Sequence, residues 1–231
     1  MQIFFAKISD NIALLHPDEA RHASKVLRKK LGDKIQVLDG SGSLFHCQII
    51  EIQRDKLAAK VLSVDENFGS IPYDLSIAIA PTKNIDRFEW FLEKATEMGI
   101  SAIYPIVTAN SERSVIKPER LEKVLVAATK QSLKGRVPIL HPLQKFKEFI
   151  GLDIRGEKYI AHCAEGEKVN FLSAANPTKP TLVCVGPEGD FNSSEVELAA
   201  KNDFQTISLG ESRLRTETAG IVAVAAMYAK V

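Results

Sequence analysis

The 231 residues are 45% apolar and 26% charged, an ordinary globular composition with enough apolar material for a sizeable core. A formal net charge of +1 excludes a basic field over the whole protein and leaves room for local basic patches. Cys47, Cys163 and Cys184 are odd in number, widely separated and form no CxxC pair, which argues against a disulfide scaffold or a zinc ribbon.

The chain begins with MQIFFAKISD, which lacks the charged and apolar regions of a signal peptide. Short β-rich runs at Gln2–Ala6, Lys34–Asp39, Leu44–Glu51 and Lys56–Val64 predict strands, with Asp39-Gly40-Ser41-Gly42-Ser43 as a hairpin turn. One helix is expected between them, over Asp18–Leu31, stopped by Gly32. Short strands around one helix imply a small barrel. The polar, Gly- and Pro-bearing stretch Asp65–Pro72 reads as a linker, dividing the chain into domains 1–70 and 71–231.

Beyond the linker, strand and helix signals alternate. Leu75–Ala80 is an apolar strand, and helix Asp86–Met98 carries Phe88, Phe91, Leu92, Ala95 and Met98 on one face before Gly99. Ala102–Val107 is the next strand, and Pro118 opens a helix with Leu121, Val124, Leu125 and Ala128 aligned. Tyr159–Ala161, Leu182–Val185 and Gln205–Ser208 follow as strands, with Asn192…Glu195 as a reciprocal helix cap between the last two. Thr216 opens the final helix. Its apolar stretch, Ala219–Ala229, is shorter than the roughly 20 residues a membrane span needs. A reduced, cytoplasmic α/β protein with a mostly parallel sheet is expected.

Two loops carry the chemistry. In Leu182–Phe191, a buried strand runs into Gly186-Pro187-Glu188-Gly189, then a capped helix. Glycines at that strand edge allow close approach of a ligand, although a plain Gly/Pro turn accounts for the residues equally well. In Ser208–Ala219, another strand ends in Leu209-Gly210, followed by Arg213, Leu214 and Arg215 and then a helix. Arginines beside a helix N-terminus are unfavourable for its dipole, which points to a ligand or acidic partner. Neither a Walker loop nor G-x-G-x-x-G is present, so phosphate cradling is not indicated.

The pair GPEGDF and SLGESRLRTETA near the C-terminus resembles the SPOUT methyltransferase superfamily, and more narrowly the bacterial 16S rRNA uridine N3-methyltransferases. Arg21-His22-Ala23-Ser24-Lys25-Val26-Leu27-Arg28 resembles that family's N-terminal H-x-x-x-V-L-R element. Lys83, Arg87 and Glu93–Gly99 resemble its first helix, and Gln131 with Arg136-Val137-Pro138 a later segment.

The resemblance implies a PUA-like N-terminal barrel, a C-terminal α/β domain with a trefoil knot, and a homodimer. It implies that S-adenosylmethionine is held by Gly186, Pro187, Glu188, Gly189, Ser208, Leu209, Gly210, Leu214 and Arg215, with His162 as a further member. It implies methylation of a uridine N3 in 16S rRNA, within the small ribosomal subunit, without a metal. Asp190 stands where family members usually have a second glycine.

RNA docking is expected at Arg21, His22, Lys25 and Arg28, within a basic segment that can bind phosphates. A second basic segment spans 113–136. Arg215, then Arg136, are the candidates to stabilise the uracil anion, because a guanidinium does so without titrating. Methylation of a ribose hydroxyl and a non-catalytic assembly role are the competing readings. The barrel with its Arg28 element opposes the first, and the intact loops oppose the second.

Overall fold

The computed structural model describes residues 2–231. It divides into two compact units, one running through Ser70 and joined by Val126–Val137, the other comprising Ile71–Leu125 and Pro138–Val231.

The first unit is a closed five-stranded barrel in the order β1-β2-β5-β4-β3, with β1 (Ile3–Ser9), β2 (Ile12–Leu15), β3 (Lys34–Leu38), β4 (Leu44–Gln53) and β5 (Lys56–Asp65). Closure comes from the parallel pairing of β1 with β3. Alternating residues fill it: Phe4 and Ala6, Ala13 and Leu15, Ile35 and Val37, Cys47 and Ile49, Leu57 and Ala59 are all buried. β2 escaped the sequence reading. It is joined to β1 by Asp10-Asn11, both at positive φ (49° and 60°), a turn whose usual marker is glycine.

The expected helix over Asp18–Leu31 is much shorter. α1 covers Pro17–Arg21, one wide π turn follows at His22–Val26, and Arg28 already has φ of 53°. Its basic run lacks the apolar stripe that would hold a longer helix to the barrel; only Ala20 and Ala23 are buried there. Val126–Val137 joins this unit through local pairing. Val137 N–H donates to the Gly40 carbonyl, Gly42 N–H to the Gly135 carbonyl, and Lys130 pairs with Glu19.

The second unit is built on parallel strands. These are β6 (Leu75–Ile79), β7 (Ala102–Val107), β8 (Ile139–Leu140), β9 (Gln144–Lys145), β10 (Glu157–Ala161), β11 (Val169–Asn170), β12 (Thr181–Val185) and β13 (Gln205–Ser208). Their order is β11-β13-β10-β12-β6-β7-β8, with β9 also on β7. Helices α2 (Ile85–Met98), α3 (Pro118–Gln131), α4 (Phe146–Phe149), α5 (Phe171–Ala174), α6 (Ser193–Ala200) and α7 (Thr216–Tyr228) connect them.

Every residue of β12 is buried, as expected for a central strand covered on both faces. The α2 cap is Asn84, whose side chain accepts from Asp86 N–H, and Gly99 ends the helix at φ of 109°. α6 has the expected capping box, Asn192 with Glu195. Glu195 does more than cap, because its other oxygen accepts from Ala109 N–H at 2.8 Å and so ties α6 to the end of β7. The short β8, β9, β11, α4 and α5 carry no periodicity that the sequence could reveal, being two to four residues long.

Candidate functional site

Three strands far apart in sequence end side by side. Ala161 at the end of β10 is level with Val185 of β12 on one side and Ile207 of β13 on the other. Parallel direction brings their C-terminal loops to one edge, where open α/β sheets take their ligands. A cavity of about 330 Å³ opens there.

Its walls are the two loops singled out above plus a third. β12 supplies Gly186, Pro187 and Glu188, β13 supplies Ser208, Leu209 and Gly210, and the following turn supplies Leu214. The end of β10 supplies His162 and Cys163, and Lys168 enters from the loop beyond them. Lys168 escaped the sequence reading because nothing in an isolated loop lysine marks its destination. It donates to the His162 carbonyl at 2.8 Å.

Gly210 has φ of 135°, and a Cβ built on it meets nothing within 4 Å, so a side chain there would be strained and would project into open space. Ser208 Oγ accepts from Gly210 N–H at 3.2 Å and donates to the Gly210 carbonyl at 3.0 Å, holding the turn. Gly189 faces away from the cavity lining: a Cβ there would lie 2.9 Å from that of Asn110. Asn110 donates to the carbonyls of Gly189 and Asp190 at 2.9 and 3.1 Å.

Asp190 occupies a left-handed position, φ of 63°, that favours glycine. Its carboxylate accepts from Cys163 N–H at 2.7 Å and from Phe191 N–H at 2.8 Å. It thereby straps the β10 loop to the β12 loop.

Several buried polar atoms lining the cavity have no protein partner: both ring nitrogens of His162 and one oxygen of Glu188. The other Glu188 oxygen accepts from Lys83 N–H at 3.1 Å. Burial, reinforced by the Lys168 charge and opposed by Asp190, holds the His162 imidazole below its usual range, so it is neutral at neutral pH. Burial and the Asp190 carboxylate raise the Cys163 thiol, against Arg213 and Lys168. Cys163 is accordingly a poor nucleophile. No group of His, Cys, Asp and Glu among the described residues could hold a metal.

Arg215 does not line this cavity. It caps α7 and lines a second one of about 600 Å³ with Arg87, Trp90 and Glu217. Arg213 and Leu214 line both cavities. Arg136 belongs to the barrel unit, its backbone bridged to Ser41 and its guanidinium beside Gly42. Arg21, His22, Lys25 and Arg28 are all exposed on that unit. Arg21 pairs with Asp18, and the His22 ring packs edge-on to Phe4.

No helix among the described residues is long and apolar enough to cross a membrane. On α7, Gly220, Ala223, Val224 and Met227 are buried, whereas Ile221, Val222 and Ala225 are only half-buried and Tyr228 is exposed.

Residues 70–228 match the model of an RNA methyltransferase domain, and residues 15–62 that of an RNA methyltransferase PUA domain. The chain is 29% identical to the ribosomal RNA small subunit methyltransferase E of Bacillus subtilis, an alignment covering 91% of this chain and 87% of that protein. A probable rRNA-methyltransferase from Porphyromonas gingivalis has a similar structure, with a TM-score of 0.90 and 37% identity over 100% of this chain and 99% of that one. The ribosomal RNA small subunit methyltransferase E of Neisseria gonorrhoeae, solved bound to S-adenosyl methionine, superposes with a TM-score of 0.86 at 25% identity, covering 100% and 98% of the two chains.

Proposed function

Because this chain belongs to the RNA methyltransferase domain family, we propose that it transfers a methyl group from S-adenosylmethionine to N3 of a uridine in 16S ribosomal RNA. The observation that carries the reading is the cavity at the joined ends of β10, β12 and β13. Its volume of about 330 Å³ suits a small ligand, and three of its buried polar atoms, on His162 and Glu188, lack partners within the chain.

The residues present fit the cofactor. His162, Gly186, Pro187, Glu188, Ser208, Leu209, Gly210 and Leu214 would hold it, through backbone groups, close approach and the unpaired polar atoms of His162 and Glu188. Gly189 and Arg215 act from beside the cavity, Gly189 by letting Asn110 brace the loop. When bound, the cofactor supplies an electrophilic methyl carbon on a sulfonium, chemistry that needs no metal. The chain's own work is to align the acceptor nitrogen and to stabilise the charge that develops on the uracil. Arg215 serves the second purpose, with Arg136 as the second candidate.

Residues 1–70 form the PUA-like RNA-binding domain and 71–231 the methyltransferase domain. Arg21, His22, Lys25 and Arg28 dock RNA phosphates, a role their common exposure on the barrel unit supports. The methyltransferase domain is threaded as a trefoil knot. Two copies associate through it as a homodimer, and the incompletely covered apolar residues of α7 support this. The substrate is the assembled small subunit, in the cytoplasm.

Nucleoside mass spectrometry of 16S rRNA from a strain lacking the protein tests the reaction. One N3-methyluridine disappears and returns on incubating the purified protein with isolated small subunits and S-adenosylmethionine. An unchanged nucleoside profile, or a product at a ribose hydroxyl, refutes it.

A further inference from the structure

Methyl transfer requires the acceptor atom in line with the donor carbon, so an acceptor site must adjoin the cofactor cavity. The second cavity adjoins it through Arg213 and Leu214. Its chemistry is unusual in three respects. Trp90, the chain's only tryptophan, lies on the polar side of α2, opposite Phe88, Phe91 and Leu92, and is 43% exposed. Arg87, Arg213 and Arg215 bring guanidinium groups to the same space.

The third feature is Glu217, in the first turn of α7. It is only 7% exposed, yet one carboxylate oxygen is buried without any hydrogen-bond partner. The other oxygen lies 3.9 Å from Arg87 Nε, a long contact. A buried carboxylate oxygen left unsatisfied is costly and calls for a ligand that donates to it.

The ligand class follows from complementarity. The cavity presents a flat indole, one buried carboxylate oxygen without a partner on Glu217, the exposed Asp86 carboxylate, which pairs with Arg120, and the side chains of three arginines. A uracil presents a flat ring and one N–H donor, N3–H, flanked by two carbonyl acceptors. Cytosine has no hydrogen at N3, and its lone pair would face the carboxylate. Uracil therefore fits where cytosine is repelled.

We infer that this second cavity receives the target uracil, stacked on Trp90, and that Glu217 is the catalytic residue that takes its N3 proton. The inference rests on the methyltransferase reading above and assigns the acceptor side of the same reaction. The N3–H bond breaks and its proton passes to the free Glu217 oxygen. The nitrogen electron pair forms the bond to the methyl carbon as the C–S bond breaks, its pair remaining on sulfur. Arg215 and Arg213 hold the charge that grows on the uracil oxygens. Water in the open cavity can then relieve Glu217 of its proton between turnovers.

Two readouts test this on the full-length protein. Trp90 reports the cavity alone, because the chain has no other tryptophan. Short oligouridine is expected to quench its fluorescence saturably, without cofactor, and to bind roughly tenfold more tightly than oligocytidine, the worth of one net hydrogen bond to a charged group. Glu217→Gln erases that preference. In single-turnover transfer to small subunits lacking the modification, Glu217→Gln is expected to be about 10²–10⁴-fold slower, the range for loss of a general base, with unchanged S-adenosylhomocysteine affinity. Trp90→Ala, at an exposed position where folding is retained, weakens oligouridine binding by calorimetry and serves if Glu217→Gln does not fold.

Equal binding of oligouridine and oligocytidine to the wild type overturns the site, as does full oligouridine affinity in Trp90→Ala. A Glu217→Gln variant that transfers at the wild-type rate overturns the role of the carboxylate. These outcomes separate from failure of the underlying reading. There, the wild type itself makes no N3-methyluridine, whatever its base preference.

Discussion

The Asp190 strap can be removed in two ways that differ in cost. Asp190→Ala deletes both bonds to the carboxylate, from Cys163 N–H at 2.7 Å and Phe191 N–H at 2.8 Å, and leaves a side chain at φ of 63°. Asp190→Gly deletes the same bonds and relieves the left-handed backbone. Bonds to a charged acceptor contribute about 1.5–3 kcal/mol each, and the half-buried setting puts these at or below the lower end, about 2 kcal/mol together. Releasing a non-glycine residue from the left-handed region returns about 1 kcal/mol. Alanine should therefore cost about 2 kcal/mol and glycine about 1 kcal/mol.

At roughly 2–4 °C per kcal/mol for a chain of this size, the melting temperature falls by about 4–8 °C and 2–4 °C respectively. Trp90 fluorescence follows unfolding of the unit that holds the strap. The same substitutions remove a cause that raises the Cys163 thiol, so its pKa falls. More thiolate forms at mildly alkaline pH, and iodoacetamide reacts faster than with the wild type. An alanine variant as stable as the wild type refutes the strap. A glycine variant more stable than the wild type shows that backbone strain outweighs both bonds.

Gly210→Val should abolish S-adenosylhomocysteine binding in calorimetry with the fold retained, because its side chain enters open cavity space; normal affinity would place the ligand elsewhere. Lys25→Ala with Arg28→Ala should weaken RNA binding and flatten its salt dependence by about two phosphate contacts, leaving cofactor affinity intact; an unchanged salt slope would move the docking surface. Arg215→Ala should slow single-turnover transfer about a hundredfold with RNA and cofactor both saturating; a normal rate there would exclude it from charge stabilisation. Light scattering at micromolar concentration should give twice the chain mass, and a monomer would contradict association through α7.

Local chemistry made much of this chain legible. Short β-rich runs bounded by turn residues and set around one helix announced the barrel. The alternation of strand and helix signals beyond the linker announced a parallel sheet, and Asn192 with Glu195 announced a helix start that the structure shows in full. The GPEG and LGESRLR loops were visible as glycine-bearing strand ends, and both line one cavity.

What sequence could not supply was adjacency. Strand order is set by packing between residues far apart in the chain, so nothing local says that β10 lies between β12 and β13. Lys168 thus reaches the cavity with no motif to announce it, whereas His162 was expected there only from the family resemblance. Asp190 looked like a departure from a glycine pattern; only the fold gives it Cys163 as a partner. The same holds for Glu217. In sequence it is either a conceivable proton acceptor or simply an acidic residue favouring a helix N-terminus, and its burial and the unpartnered oxygen depend on the packing of α2 against α7. Trp90 and Glu217 stand 127 residues apart, and only tertiary packing, which closes that loop against its entropy, brings the indole and the carboxylate with its one unsatisfied oxygen to one cavity.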